Sequence, residues 1–430
     1  MRQMATYHIS NIDSFKRQLS CWSAQFEQSA VFEGEASPNY GKHLKYDMLV
    51  GADSISQLYS EENSFSALSD FHKDKKDWIF GFLSYDLKNE IEDLKSENDD
   101  NLSFPIMHFF QPKWVFEIIQ NEVIISFPEG VDRKEMQLLF KDITHFDMPV
   151  ENKKSVSIKS KISKEQYFEG FEKLKEHIYR GDIYEVNYCQ EYYAENVVLN
   201  PISVYHNLYD ISKPPFAAFY RCKENYLMCA SPERFLKKEG SKLISQPIKG
   251  TRKRSVVLEE DNRLKDELLN CPKEQSENVM IVDLVRNDLS KTALASSVKV
   301  EELFGIYSFP QVHQMISTIV SELDESIHWV DAIRHAFPMG SMTGAPKISA
   351  MQLIEKVEVF KRGLYSGAVG YVNPSGDFDF NVVIRSILYN SKKKYASMPV
   401  GSAITANANP KDEYEECELK VKAMMEVLDA

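Results

Sequence analysis

Lys249 stands in Pro247-Ile248-Lys249-Gly250-Thr251, a lone amine among small residues, with the basic run Arg252-Lys253-Arg254 directly after it. A lysine acts as a nucleophile at neutral pH only when burial or nearby positive charge lowers its pKa. A solvated lysine in a basic turn is the commoner fate of that residue type. Its company argues otherwise: Ser231-Pro232-Glu233-Arg234-Phe235 lies just upstream, and acidic, glycine-rich and basic motifs follow.

The segment Gly340-Ser341-Met342-Thr343-Gly344-Ala345-Pro346-Lys347 leads into Ile348-Ser349-Ala350-Met351-Gln352-Leu353-Ile354, an amphipathic helix pattern with proline at or near its first position. Backbone amides there, beside glycines that permit close approach, suit a carboxylate or phosphate, although an ordinary capped helix has the same pattern. The Gly-x-x-x-x-Gly-Lys spacing of a nucleotide loop is absent. Near the end of the chain, Glu413, Glu416 and Lys420 project from one helix face. Two carboxylates held close repel each other, and a divalent cation relieves that repulsion. Glu277, opening another predicted helix, completes an oxygen-ligand set, for which hard Mg²⁺ is the natural choice. For any single one of these glutamates, a solvated helix face is the bland alternative.

Arg385 sits in the apolar run Val382-Val383-Ile384-Arg385-Ser386-Ile387, read as a strand, and needs a counter-charge there. That carboxylate is either a substrate's or an internal aspartate's. Tyr371 in Gly367-Ala368-Val369-Gly370-Tyr371-Val372 and His313 in Gln311-Val312-His313-Gln314 are further candidates, an isolated histidine more often being structural.

The elements that must position these groups are mixed. Ser163-Lys164-Glu165-Gln166 fits a capping box, with Phe168, Phe171, Leu174 and Ile178 on one face and Gly181 ending the helix. Strands are expected at 183–188, 216–220, 226–230, 365–372 and 380–388, and helices at 259–269, 277–293, 346–357 and 412–427. Regular strand-helix alternation is missing, so the fold class is α+β: antiparallel sheets packed as a sandwich with helices outside. Residues 88–101 read as a hydrophilic loop. Residues 149–160 read as a connection between an N-terminal part, 1–150, and a second part, 160–430, the two packed as one unit.

At 430 residues, 43% hydrophobic and 27% charged, the chain has a globular composition. A formal charge of −13 disfavours nucleic acid as the main partner. No apolar run approaches the roughly 20 residues needed to cross a bilayer, and Met1 to His8 lacks a signal-peptide core, so no membrane partner and a cytoplasmic location are expected. Six scattered cysteines, without a Cys-x-x-Cys pair, argue against zinc or a disulfide framework.

In series, Gly181-Asp182-Ile183-Tyr184, Ser231 to Phe235, Pro247 to Arg252, Asp283 to Asp288, Gly340 to Lys347, Arg385 and the Glu413 to Lys420 helix resemble the chorismate-utilising enzymes over roughly residues 160–428. Gly81-Phe82-Leu83-Ser84-Tyr85-Asp86 is similar to that group as well. Lysine in the Pro-Ile-Lys-Gly-Thr segment resembles the branch that aminates ring position 4, whereas anthranilate-forming members have alanine there. The resemblance implies amination of chorismate towards 4-aminobenzoate and folate. No glutaminase Cys-His-Glu arrangement is apparent, so ammonia is expected from a separate glutaminase subunit.

It further implies that Lys249 attacks the ring, that Glu233 is the general acid, and that Mg²⁺ on Glu277, Glu416 and Glu413 holds the ring carboxylate. Arg385 and Tyr371 would engage the enolpyruvyl carboxylate, Thr343 and Gly344 would position substrate oxygens, and Lys420 would add positive charge behind the metal ligands. Gly401, in a turn Gly401-Ser402-Ala403-Ile404, would contact a carboxylate. Glu185 departs from the family, standing where aminating members carry glutamine and hydrating members a lysine. Amination at a different ring position with loss of pyruvate, as in the anthranilate-forming members, and a non-catalytic partner subunit of a glutaminase, are the alternatives.

Overall fold

The computed structural model describes residues 2–34, 45–147 and 156–429. Every strand pairing among them is antiparallel, and the strands form one continuous ribbon folded into two layers. The first layer passes through Glu185–Glu195, Tyr395–Thr405, Ser386–Asn390, Asn225–Ser231, Phe216–Cys222, Gln28–Glu33 and Met48–Ser60. Met107–Ile119 then leads to Ile79–Leu83, Ala368–Val372, Phe378–Val382, Arg234–Glu239, Lys242–Gln246 and Val312–Glu322. Ile248–Lys253 and Lys299–Ser308 both dock on Val312–Glu322.

Side chains from both layers, among them Phe82, Phe109, Tyr220, Leu227, Leu236 and Phe380, form the core between them. A second core lies on an outer face, where Phe15, Phe171, Leu174, Val421 and Met424 pack helices onto the first layer. The α+β sandwich with helices outside is the architecture the chain adopts. Strands 28–33 and 79–83 pair with 216–222 and 368–372, so the N-terminal part shares its sheet hydrogen bonds with the second. The expected connection falls partly on 148–155, outside the described residues; Lys159–Ser160 is a short strand on Glu185–Glu195. No helix among the described residues is long and apolar enough to cross a membrane.

Helix Lys164–Arg180 carries both halves of the capping box, Ser163 with Gln166, and Gly181 closes it at φ +83°. Its buried face uses Tyr167 rather than Phe168, because Tyr167 stacks on Tyr188 and reaches the Ser402 hydroxyl. The helix expected at 277–293 starts earlier, at Pro272, and runs to Ser290. In the loop expected at 88–101, Lys88–Ile91 is a helical turn, and the fully buried Lys88 pairs with Glu355 at 2.8 Å.

The strand expected over 380–388 is two strands. Phe378–Val382 belongs to one layer and Ser386–Asn390 to the other, and the chain crosses between them at 383–385 with Arg385 at φ +52°. A left-handed arginine costs on the order of 1 kcal/mol or more, so the crossing has to hold it there. Asn225–Ser231 and Arg234–Glu239 repeat the manoeuvre, with Glu233 at the crossing. The sandwich therefore opens at a seam bearing Glu233 and Arg385.

Candidate active site

Glu233 is fixed by its neighbours. Arg234 points the other way and grips Asp379 through two 2.9 Å hydrogen bonds, locking the 234–239 and 378–382 strands together. The Glu233 carboxyl is left facing the seam, where Ser341 Oγ donates to Oε1 at 2.6 Å. Burial pushes its pKa up to about 7, although Ser341, Lys249 and Lys420 pull the other way.

Lys249 projects from Ile248–Lys253, and Gly250 follows at φ +85°, where a Cβ would lie 2.9 Å from Glu274 Oε2. Lys249 is 9% exposed, and its ammonium donates to Glu185 Oε1 at 2.6 Å. Burial alone would lower its pKa, but Glu185, Glu277 and Glu233 outweigh burial and raise it. This corrects the sequence expectation, which required a lowered pKa. The charges that face this lysine are carboxylates from three distant elements, whereas the basic run beside it points elsewhere: Arg252 reaches Glu274 and Arg254 reaches Asp261.

Helices Pro272–Ser290 and Pro410–Asp429 bring in the other glutamates. Lys273 Nζ stands 3.2 Å from Glu413 and 3.9 Å from Glu277. Burial, with Glu185 adding repulsion, raises Glu277 to about 7, and its Oε1 has no hydrogen-bond partner. Burial and then Glu416 raise Glu413. Burial opposes ionisation of Glu416 too, but Lys420 at 2.6 Å holds its pKa below the ordinary value. Among the described residues no three of these side chains stand together as a ready-made metal cluster. Even so, the donors are hard oxygens, one of them buried and unpartnered, in carboxylates that repel each other; this chemistry fits Mg²⁺.

Arg385 makes no side-chain hydrogen bond or ion pair among the described residues. Burial lowers its pKa, with Glu416 and Tyr365 pulling the other way. No internal aspartate pairs with it, and the carboxylate that acts on it is Glu416. Lys420 Nζ donates to the Gly401 carbonyl at 2.7 Å, joining its helix to the strand beneath. Gly401 lies inside the eleven-residue strand Tyr395–Thr405 rather than in a turn, because Ser402 and Ala403 continue its ladder with Tyr188 and Asn187.

Thr343 is fully buried, its hydroxyl donating to Met339 and Gly340 carbonyls. Gly344, at φ +151°, pairs with Val186 so closely that a Cβ would sit 2.1 Å from the Glu185 carbonyl oxygen. Arg362 fastens this corner, donating to the Met342 and Asn187 carbonyls and to Glu358, while Glu358 accepts from the Cys189 amide.

Two expected residues stand elsewhere. The Tyr371 ring packs among Phe32, Tyr46, Trp78 and Phe80 and lines a separate cavity of about 50 Å³. The pleat of Ala368–Val372 sends it away from the seam, and the tyrosine that acts electrostatically on Arg385 is Tyr365. His313 is a structural histidine, its Nε2 3.0 Å from Asp261 and its Nδ1 2.8 Å from Ser308. Sequence reasoning did not single out Tyr365, Ser341, Lys273 or the Glu185–Lys249 pair. For Ser341 a signal existed, since it lies in the glycine-rich segment already marked; for the others only the fold reveals the partner.

Buried acids and lysines aimed at one another in this way mark a candidate functional site. A family model for chorismate binding enzymes matches residues 21–426, and the chain belongs to that family. Aminodeoxychorismate synthase component 1 of Escherichia coli (strain K12) is 32% identical over 349 residues, covering 81% of this chain and 76% of that protein. The protein of the same name from Bacillus subtilis (strain 168) is 31% identical over 361 residues, with the same coverage. Two solved structures share the fold. Anthranilate synthase component I from Streptococcus pneumoniae TIGR4 has a TM-score of 0.77 at 24% identity, covering 91% of this chain and 97% of that one. MenF, the menaquinone-specific isochorismate synthase from Escherichia coli, has a TM-score of 0.77 at 16% identity, covering 100% and 95%.

Proposed function

We propose that this chain aminates chorismate at ring position 4, in the cytoplasm, with ammonia from a separate glutaminase subunit, on the route to 4-aminobenzoate and folate. The observation that carries this reading is Lys249, a buried amine facing the same seam as a protonatable Glu233. The two aminodeoxychorismate synthase relatives favour the same branch of the family.

Chorismate is a dianion, and the unpaired Arg385 offers its enolpyruvyl carboxylate a two-pronged partner. Glu277, Glu413 and Glu416 would hold Mg²⁺, whose charge would neutralise the ring carboxylate when bound. Gly344 lets its segment pack directly against Glu185 and Val186, and Lys420 adds positive charge beside Glu416. Glu233, with a pKa of about 7, gives its proton to the departing ring hydroxyl, which leaves as water. As that C–O bond breaks, the Lys249 nitrogen forms a C–N bond to the ring. Ammonia then displaces the lysine at position 4 and surrenders a proton that restores Glu233.

The test is to incubate the purified chain with chorismate, Mg²⁺ and ammonium salt and to identify products by chromatography with mass detection. Aminodeoxychorismate, converted to 4-aminobenzoate by an added lyase, is the expected product. Anthranilate would overturn the ring position, and isochorismate would overturn amination itself.

A further inference from the structure

Lys249 is held as an ammonium, and an ammonium has no lone pair with which to attack. We propose that Glu185 is the proton acceptor that converts it to the amine, an inference that rests on the function proposed above.

The geometry is direct. Glu185 Oε1 accepts from Lys249 Nζ at 2.6 Å, and the glutamate is 1% exposed. Its Oε2 is buried with no hydrogen-bond partner, so the carboxylate is committed to nothing but this lysine. The charged groups facing Lys249 are Glu185 at the start of Glu185–Glu195, Glu277 on Pro272–Ser290, and Glu233 at the layer crossing. Glu233 must donate in the same step and is held by Ser341, so it is not the acceptor. Glu277 has no hydrogen bond to the lysine and faces Lys273 as well. Glu185 alone is already in hydrogen-bond contact.

The transfer balances within the pair. The Nζ–H bond breaks and an Oε1–H bond forms, so an ion pair becomes a neutral amine beside a neutral acid. No net charge appears in the buried pocket, and no proton has to reach water. The freed lone pair makes the C–N bond to the ring. After ammonia displaces Lys249, the amine takes its proton back from Glu185 and the ion pair is restored.

A proton shared inside a pair leaves the amine fraction independent of pH, whereas an isolated lysine gains amine about tenfold per pH unit below its pKa. The test uses reductive methylation of Lys249 by formaldehyde and cyanoborohydride, read by peptide mass spectrometry, beside amination rates, between about pH 6 and 9. In Glu185→Gln the ratio of variant to wild-type rate, by either readout, should climb about tenfold per pH unit. Glu185→Asp, which keeps a carboxylate, should hold a flat ratio. A flat ratio in Glu185→Gln overturns the proposal, as does a climbing one in Glu185→Asp. Because methylation needs no turnover, it decides the role of Glu185 even for a chain that releases no aminated product, an outcome that would defeat the proposed function instead.

Discussion

Replacing Glu233 by glutamine separates two consequences of one buried carboxyl. In the folded chain it keeps its proton up to about pH 7, against an ordinary value of 4.5. Between those values the folded state binds more protons than the unfolded state, so stability falls as pH rises through that window. Once Glu233 is ionised, the folded state has lost about 3 kcal/mol through this group, an upper figure given the relaxation of real sites. Glutamine can still accept from Ser341 and carries no charge at any pH. Glu233→Gln should therefore be close to wild type in urea unfolding near pH 4, and more stable by up to about 3 kcal/mol near pH 8.5. In the same variant the loss of a general acid should lower amination by about 10²–10⁴-fold. A stability difference that does not change between the two pH values would refute the raised pKa. Amination at the wild-type rate would refute the acid.

Glu277→Gln should raise the Mg²⁺ concentration for half-maximal rate by about tenfold or more, and an unchanged metal titration would remove it from the ligand set. Arg385→Gln should raise KM for chorismate far more than it lowers kcat, by the roughly 1.5–3 kcal/mol of a charged hydrogen bond; an unchanged KM would mean that the carboxylate binds elsewhere. His313→Ala should lower stability by about 1–3 kcal/mol by leaving Asp261 and Ser308 without their ring partner, while kcat per folded molecule stays level, as urea unfolding and active-site titration would check.

The local features were legible where local chemistry decides them. The Ser163 capping box and Gly181 mark a helix because their backbone requirements lie within a few residues. The Glu233 and Lys249 segments stood out by residue type and meet at the seam through electrostatic contact. Arg385 was legible as a cation in an apolar run but not as a kink, because a chain crossing between layers keeps the same apolar pattern on both sides of the crossing. Tyr371 lies on the strand Ala368–Val372 and Tyr365 in the turn before it, and only the fold decides which of them acts on Arg385. The pKa of Lys249 depends on residues 185, 233 and 277, so no window around the lysine contained the answer.

The claim on which the account rests is that Lys249 bonds to the ring. Wild-type chain and Lys249→Ala should be incubated with chorismate and Mg²⁺ in the absence of ammonia, acid-quenched, digested and mapped by mass spectrometry. The account predicts a chorismate-derived adduct, formed with loss of water, on the wild-type peptide carrying Lys249, and neither adduct nor later amination in Lys249→Ala. Amination by Lys249→Ala at the wild-type rate would contradict it.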